Sequence, residues 1–386
     1  MHDCIDSYPS WTLKINPVRV TITRMAGMMA PVEFFIDTAP LFSPYFVNPW
    51  NAESLPVTDP VLGPLRGNFF CLPFGTADED HSDQNTHGDP VAREWVLTDH
   101  SVTDDHVRAS FACRTDNPPG RITKEISLIR GHNVVYSRHR LQGYSVTVPL
   151  GFHATLAPTQ LGEELSVTVG QYNFGIVSER LKKYAGGEYN CLKAGATFRD
   201  LEAVPTVWQH PSTIDCTTYP HVEGFTDIVL LTWLRDSSNG APVLSSPAWN
   251  AVVFPKAGAL WFSLKNPAIL PSTMIWMEAG GRHQGPWLGR THCIGVEDVC
   301  AYGGLGRTLS VGENEFSQVG VPTAVQLLPN APLEIPYIEG AVQVPPGFDR
   351  VQSIQFEDQG ICFFSTSGVQ AYAEVFWKDY FPRPAP

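Results

Sequence analysis

The chain has 386 residues, 43% apolar and only 17% charged, a composition that supplies a sizeable core and is neither disordered nor coiled-coil. Its formal net charge of −13 argues against a nucleic-acid or anionic-membrane partner, because both require clustered positive charge. The densest basic stretch is Arg180–Lys183, and the 32 glycines and 33 prolines fit many turns between short strands.

The N-terminus, MHDCIDSYPSWTLK, lacks a basic start followed by an apolar run and is not read as a signal peptide. No segment approaches the apolar length of a membrane span. Eight cysteines are dispersed along the chain at Cys4, Cys71, Cys113, Cys191, Cys216, Cys293, Cys300 and Cys362, with no C-x-x-C pair. They are expected to be reduced, mostly buried thiols of a cytoplasmic protein, and no structural zinc site is expected.

The first unusual stretch is LRGNFFCLPFGT (Leu65–Thr76), followed after an acidic loop by THGDPVAREWVL (Thr86–Leu97). A core strand does not need Arg66, and a surface loop does not need Phe69, Phe70, Leu72 and Phe74. Together they suggest a buried scaffold that presents a few polar groups at a cleft. From there the pattern is β almost throughout. Strands are predicted over Glu94–Thr98, Val107–Arg114, Ile122–Ile129, Asn133–Leu141 and Glu164–Val169, then Asp227–Leu234, Ala259–Leu264 and Thr273–Glu278. Val351–Phe356, Gly360–Ser365 and Ala371–Trp377 close the series. Arg114–Arg121 and Leu128–Asn133 read as connections of an antiparallel meander. Helical periodicity is confined to Ile176–Tyr184, with Ser178 as its cap, and to one short turn at Val296–Tyr302. Leu327–Gly347 is Pro-rich but too apolar for a free linker, and PRPAP at the C-terminus is a tail. Strands without intervening helices favour antiparallel sheets packed face to face over a parallel α/β sheet. No repeat or domain boundary stands out, so residues 1–386 are read as one domain.

Twelve histidines are present, and two stand out. His87 precedes Gly88, a step that lets the backbone turn while the ring faces a cleft; the plainer alternative is a turn residue bonding to backbone. His153 interrupts the apolar stretch VPLGFHATLA, where a satisfied histidine on a sheet face is the alternative. Glu297, in THCIGVEDVCAYGG, ends an apolar strand, and a carboxylate there is either ion-paired or functional. Asp298 would point away from it if the strand continued. Glu278 ends a second apolar strand and competes with Glu297 as a base. Arg66, Arg282 and Arg290 each adjoin a glycine and offer a fixed fork of donors for hydroxyls, carboxylates or phosphates. Trp50, Trp95, Trp276 and Trp287 offer flat faces for sugar rings, although a core role is expected for Trp95 and Trp276. There is no G-x-S-x-G elbow, no H-E-x-x-H and no P-loop.

Arg66-Gly67, Pro73-Phe74-Gly75, His87-Gly88 and Arg93-Glu94-Trp95, in that order, resemble the aldose 1-epimerase (galactose mutarotase-like) superfamily, particularly its hexose-6-phosphate mutarotase branch. SPYFVNPW (Ser43–Trp50) is similar to an early Pro-Trp segment of such proteins. GRTHCIGVED resembles the late strand that carries the family's glutamate in a Gly-x-Glu context. Three positions depart from the family pattern: Asp89-Pro90-Val91 after His-Gly, Asp298 after the glutamate, and Ala154-Thr155-Leu156 after the second histidine.

The resemblance implies an all-β fold, the galactose mutarotase-like β-supersandwich of large antiparallel sheets. It implies a monosaccharide or sugar phosphate as ligand and interconversion of its α and β anomers without metal or redox cofactor. Glu297 would take the proton of the anomeric hydroxyl and His153 would protonate the ring oxygen. His87 would orient the substrate. Arg66, Arg93, Arg282 and Trp287 would contact it. A neutral sugar suits the overall charge better, whereas a sugar phosphate would need at least two of Arg66, Arg93, Arg282 and Arg290 at the cleft. Two alternatives stay open: a non-catalytic carbohydrate-binding protein on the same fold, and a polysaccharide lyase or glycoside-processing module.

Overall fold

The computed structural model describes residues 2–5, 8–38, 40–78, 85–179, 188–233 and 246–381. Two large antiparallel sheets dominate it. The 11-stranded sheet runs, edge to edge, through His2–Ile5, Tyr8–Ile15, Val18–Thr23, Met29–Glu33, Asn68–Cys71, Leu150–Leu156, His292–Cys300, Ser272–Ala279, Thr226–Trp233, Tyr172–Val177 and Thr197–Phe198. The 9-stranded sheet runs through Thr218–Tyr219, Leu165–Val169, Ala248–Phe254, Ala259–Lys265, Leu333–Gln343, Val134–Gln142, Pro119–Ile129, His106–Asp116 and Val96–Val102. They pack face to face around the main core, in which Phe70, Phe152, Ile275, Ile294 and Val296 of the first sheet share one cluster with Phe111, Val252, Trp261 and Tyr337 of the second. A small meander of Val351–Phe356, Gly360–Ser365 and Gln370–Glu374 packs on the other face of the 9-stranded sheet, against Tyr136, Phe262 and Ile338.

Alternation along the central strands decides the rest. The odd-numbered positions Phe69 and Cys71 and the even-numbered Met274 and Trp276 point away from the main core into a second apolar cluster, with Ile228, Leu230 and Trp287. That second cluster lies on the outer face of the 11-stranded sheet and forms the floor and walls of the cleft described below.

The antiparallel sheets agree with the sequence reading; several elements do not. Val296–Tyr302 is no helical turn, because the His292–Cys300 strand continues through it, paired on both sides. Glu297 therefore sits inside a strand rather than at its end. Ile176 and Val177, expected to open a helix, end the Tyr172–Val177 strand, and the Ser178 hydroxyl donates to the Gly303 carbonyl at 2.8 Å. The rest of that expected helix, residues 180–184, lies outside the described residues, as do the Arg180–Lys183 run and the PRPAP tail. Trp377 begins a short helix, Trp377–Tyr380, instead of ending a strand. Leu333–Gln343 is a central strand despite Pro336. Among the described residues, Cys71, Cys113, Cys191, Cys216, Cys293, Cys300 and Cys362 are not in disulfides. Among the described residues, no helix is long and apolar enough to cross a membrane.

Candidate active site

Strand register brings the central side chains together. On adjacent strands His153 lies opposite Phe69 on one side and Glu297 on the other, and Glu297 lies opposite Met274. Directly paired residues share a face of the sheet. One transverse row, Phe69–His153–Glu297–Met274, thus spans four strands and faces the outer cleft. Asp298, one residue along, faces the main core, as alternation requires.

The row forms part of the lining of a cavity of about 250 Å³. Pockets for drug-sized ligands run roughly 300–1,000 Å³, so the space suits a single ring. His87, Trp276, Arg282 and Trp287 complete the polar and aromatic wall, and Asp59, Glu188 and Gln284 add polar groups from loops. His87, His153, Glu297, Arg282 and Trp287, singled out in the sequence, therefore meet in one cavity.

Glu297 is fully buried, with Oε1 3.4 Å from His153 Nε2. The glycine two residues earlier explains its posture. A Cβ built on Gly295 would stand 2.3 Å from Glu297 Oε1, so only glycine leaves room for the carboxylate to fold back along its own strand. The imidazole of His153 stacks on Phe69, with centroids 4.6 Å apart, and its Nδ1 lies 3.0 Å from the Thr155 hydroxyl. These contacts fix the plane of the ring.

His87 has a positive φ of 64° and is followed by Gly88 at φ 79°. At Gly88 a Cβ would come within 2.1 Å of the Leu72 carbonyl oxygen. The His-Gly pair is thus a tight turn against the end of the Asn68–Cys71 strand, locked by the His87 N–H donating to the Gly75 carbonyl at 2.7 Å. The Gly75 N–H lies 3.4 Å from His87 Nδ1. An Nδ1 that accepts leaves Nε2 as the N–H donor of a neutral ring. The two imidazoles meet edge to face at 4.8 Å.

Arg282 is held between two tryptophans, its guanidinium carbon 4.7 Å from the Trp276 ring centre and 4.9 Å from that of Trp287. Its Nε is 3.1 Å from Glu188 and 3.5 Å from Glu278. Glu278 sits behind the wall rather than in it. Its Oε1 accepts the Arg282 backbone N–H at 3.2 Å. Burial pushes its carboxyl above the usual range, and the Arg282 charge opposes that shift. Trp287 packs against Trp50, with ring centres 4.9 Å apart. The Trp50 indole N–H donates to the Leu62 carbonyl at 2.7 Å, and Asn48 bonds the Gly63 and Leu65 carbonyls. The Ser43–Trp50 segment therefore buttresses the wall built by Asp59, Val61, Leu62 and Leu65.

Apart from Trp276, the remaining selected residues are not among those that line the cavity. Arg66 is wholly buried, with Nε 3.3 Å from the Pro64 carbonyl and its guanidinium 5.2 Å from the Tyr8 ring centre. Arg93 is half-exposed and ion-paired to Asp116 at 2.6 Å and Asp89 at 3.3 Å. Arg290 pairs with Glu53 at the surface. Trp95 is core, its indole N–H on the Pro90 carbonyl at 3.1 Å. Trp276, for which a core role was the expectation, is buried but lines the cavity. Sequence reasoning missed Asp59, Glu188 and Gln284. All three are loop residues with no periodicity to mark them; Glu188 also forms a backbone bridge to Arg282.

No family model matches the sequence, and no curated protein matches it. Among solved structures the fold is similar to a galactose mutarotase-like protein from Clostridium acetobutylicum (TM-score 0.56, 11% identity, covering 88% of this chain and 97% of that one). It is also similar to a galactose mutarotase-like protein from Lactobacillus casei (TM-score 0.52, 11% identity, 86% and 99% covered) and to a galactose mutarotase related enzyme from Lactobacillus acidophilus (TM-score 0.51, 11% identity, 86% and 97% covered). At this identity the likeness shows the fold alone: an all-β, galactose mutarotase-like supersandwich.

Proposed function

We propose that the protein is an aldose 1-epimerase-like isomerase that interconverts the anomers of an unphosphorylated monosaccharide. The observation that carries the proposal is the meeting of Glu297, His153 and His87 on one cavity floor. Anomer exchange by ring opening needs a base at the anomeric hydroxyl and an acid at the ring oxygen. Glu297 takes the hydroxyl proton. His153, beside it and held by Phe69 and Thr155, delivers a proton to the ring oxygen as the C1–O5 bond breaks. The free aldehyde end rotates, and the steps reverse on its other face. His87 presents Nε2–H as a donor to a substrate oxygen. The edges of Trp276 and Trp287 pack against the apolar flank of the sugar.

Charge supports a neutral substrate. Among the described lining residues the arginine is Arg282, already shared by Glu188 and Glu278, and Asp59, Glu188 and Glu297 are carboxylates. A phosphate dianion would need compensation that Arg282 alone, so paired, does not offer. The 3.4 Å contact between His153 and Glu297 favours a second reading, a sugar-binding protein in which the pair is spent on itself.

The test follows freshly dissolved α-glucose and α-galactose by NMR with and without protein. Faster equilibration supports the isomerase. Saturable sugar binding without acceleration supports the binding protein.

A further inference from the structure

Asp227 belongs to the Thr226–Trp233 strand, next to the cavity-lining Ile228, but alternation turns it the other way, into the main core. Two other chain segments converge on it there. Its Oδ2 lies 2.8 Å from His221 Nε2, 3.1 Å from Cys191 Sγ and 3.2 Å from the Cys191 backbone nitrogen, and its Oδ1 accepts the Leu192 N–H at 3.0 Å. One donor atom each from Cys191, His221 and Asp227 lies within 4.8 Å of the other two. The side chains of His221 and Asp227 are fully enclosed, and Cys191 is 0% exposed. Cys216 is buried in the same core cluster as Cys191.

We propose that Cys191, His221 and Asp227, completed by Cys216, bind one divalent ion of the zinc type. The donor set decides the class. Thiolate, imidazole and a single carboxylate suit a borderline-soft tetrahedral ion, whereas magnesium and calcium require mostly oxygen. With metal–ligand lengths of about 2.0–2.3 Å, tetrahedral edges measure about 3.3–3.8 Å. The observed 2.8 and 3.1 Å contacts therefore need to open by only a few tenths of an ångström to admit the ion.

Binding releases the Cys191 and Cys216 protons to solvent. The imidazole proton moves from Nε2 to Nδ1, which has no hydrogen-bond partner. Because the ion would be enclosed by protein ligands, its role is structural. It staples the 188–192 and 216–221 segments to the sheet. Glu188, at the start of the first segment, bridges to Arg282 and lines the cavity, so the staple sets one wall of the site from behind.

The experiment uses the full chain, stripped with chelator under a phosphine reductant and titrated with Co²⁺ alone. The expected result is one equivalent bound, with thiolate-to-cobalt charge transfer and the intense visible bands of a tetrahedral ion. Zn²⁺ should bleach those bands and raise the melting temperature. Cys191→Ser should lose both the bands and the thermal shift, and Cys216→Ser should lose about half of the charge transfer. Cys113→Ser, remote from the cluster, should change neither. A wild-type protein that gives no tetrahedral bands overturns the proposal, leaving a hub of hydrogen bonds on Asp227. So do bands that persist unchanged in Cys191→Ser. Charge transfer unaltered in Cys216→Ser removes that residue from the set.

Discussion

Gly295 and Glu297 show how one position disciplines another within a strand. The carboxylate lies over residue 295, where a methyl group would stand 2.3 Å from Oε1. Gly295→Ala therefore displaces the carboxylate while keeping the strand. The expected outcome is a loss of isomerase rate of roughly tenfold or more, with a far-ultraviolet circular dichroism spectrum unchanged from wild type. Full activity in that variant would show that the posture of Glu297 is unimportant. Glu278 makes a contrasting case, because it holds Arg282 and does not line the cavity. Glu278→Gln should keep kcat within about tenfold and act mainly on KM; a collapse of kcat with KM unmoved would assign the base to Glu278 instead. At this scale the site was partly legible. His87, His153 and Glu297 each broke a local pattern, a polar group in an apolar run or before a glycine. Arg66 broke the same kind of pattern but packs at Tyr8 and Pro64 instead. A sequence marks a buried arginine without showing which face of the strand it takes.

Strand pairing converts scattered residues into a site, and it also carries buried charge through the core. Asp298, facing inward, lies 2.5 Å from Lys265 Nζ and accepts from Asn250, Ser263, Thr273 and the Tyr337 hydroxyl, the last at 2.8 Å. This network ties the His292–Cys300 strand to three strands of the opposite sheet. Removing one partner of a buried pair leaves the other charge stranded, at about 3–5 kcal/mol. Asp298→Ala should therefore lower unfolding free energy by that order in urea. The double change Asp298→Ala/Lys265→Met should recover part of it; equal stability of the single variant and wild type would deny the network any energetic role. The strands most legible in the sequence were the mid-chain meander and the C-terminal three, where turns of Gly, Pro, Asn and Asp bound β-branched runs. Tyr8–Ile15, Val18–Thr23, Ala248–Phe254 and Leu333–Gln343 were overlooked. Leu333–Gln343 contains Pro336, which argues locally against a central strand; at Pro336 the strand is paired only with the Val134–Gln142 strand, and pairing with Ala259–Lys265 begins at Tyr337, so the missing N–H falls on an unpaired side. The Cys191–His221–Asp227 cluster was invisible because its members come from three segments with no shared spacing.

At the scale of the whole molecule, the two sheets enclose ionisable groups whose cost depends on pH. Glu339 is buried between them, its carboxyl raised from 4.5 to about 7 by desolvation, and Lys124 is lowered from 10.5 to about 8 by the same cause. A carboxyl with a raised folded value contributes stability fully present below the unfolded value and lost as pH rises through the folded one. The Glu339 contribution is therefore lost between about pH 4.5 and 7, on the order of 3 kcal/mol in all. A lowered amine has the opposite sign: stability rises with pH between about 8 and 10.5. Glu339→Gln should flatten the first slope. The amide can still be satisfied, since Asn68 Oδ1 is buried without a partner and its amide can turn over to accept. Urea denaturation at pH 5 and pH 7 reads the difference, and parallel profiles for wild type and variant would refute the assignment. The same fold places Glu297 and His153 side by side on its outer face, and the proposed isomerase function rests on that pair. It is tested most directly by NMR of α-glucose and α-galactose relaxation with wild-type protein and with Glu297→Gln, alongside sugar affinity by titration. The account predicts acceleration by wild type, a loss of about 10²–10⁴-fold in the variant, and affinities that agree within about tenfold. Wild-type protein that binds sugar and leaves the uncatalysed rate unchanged, or a variant as fast as wild type, would contradict it.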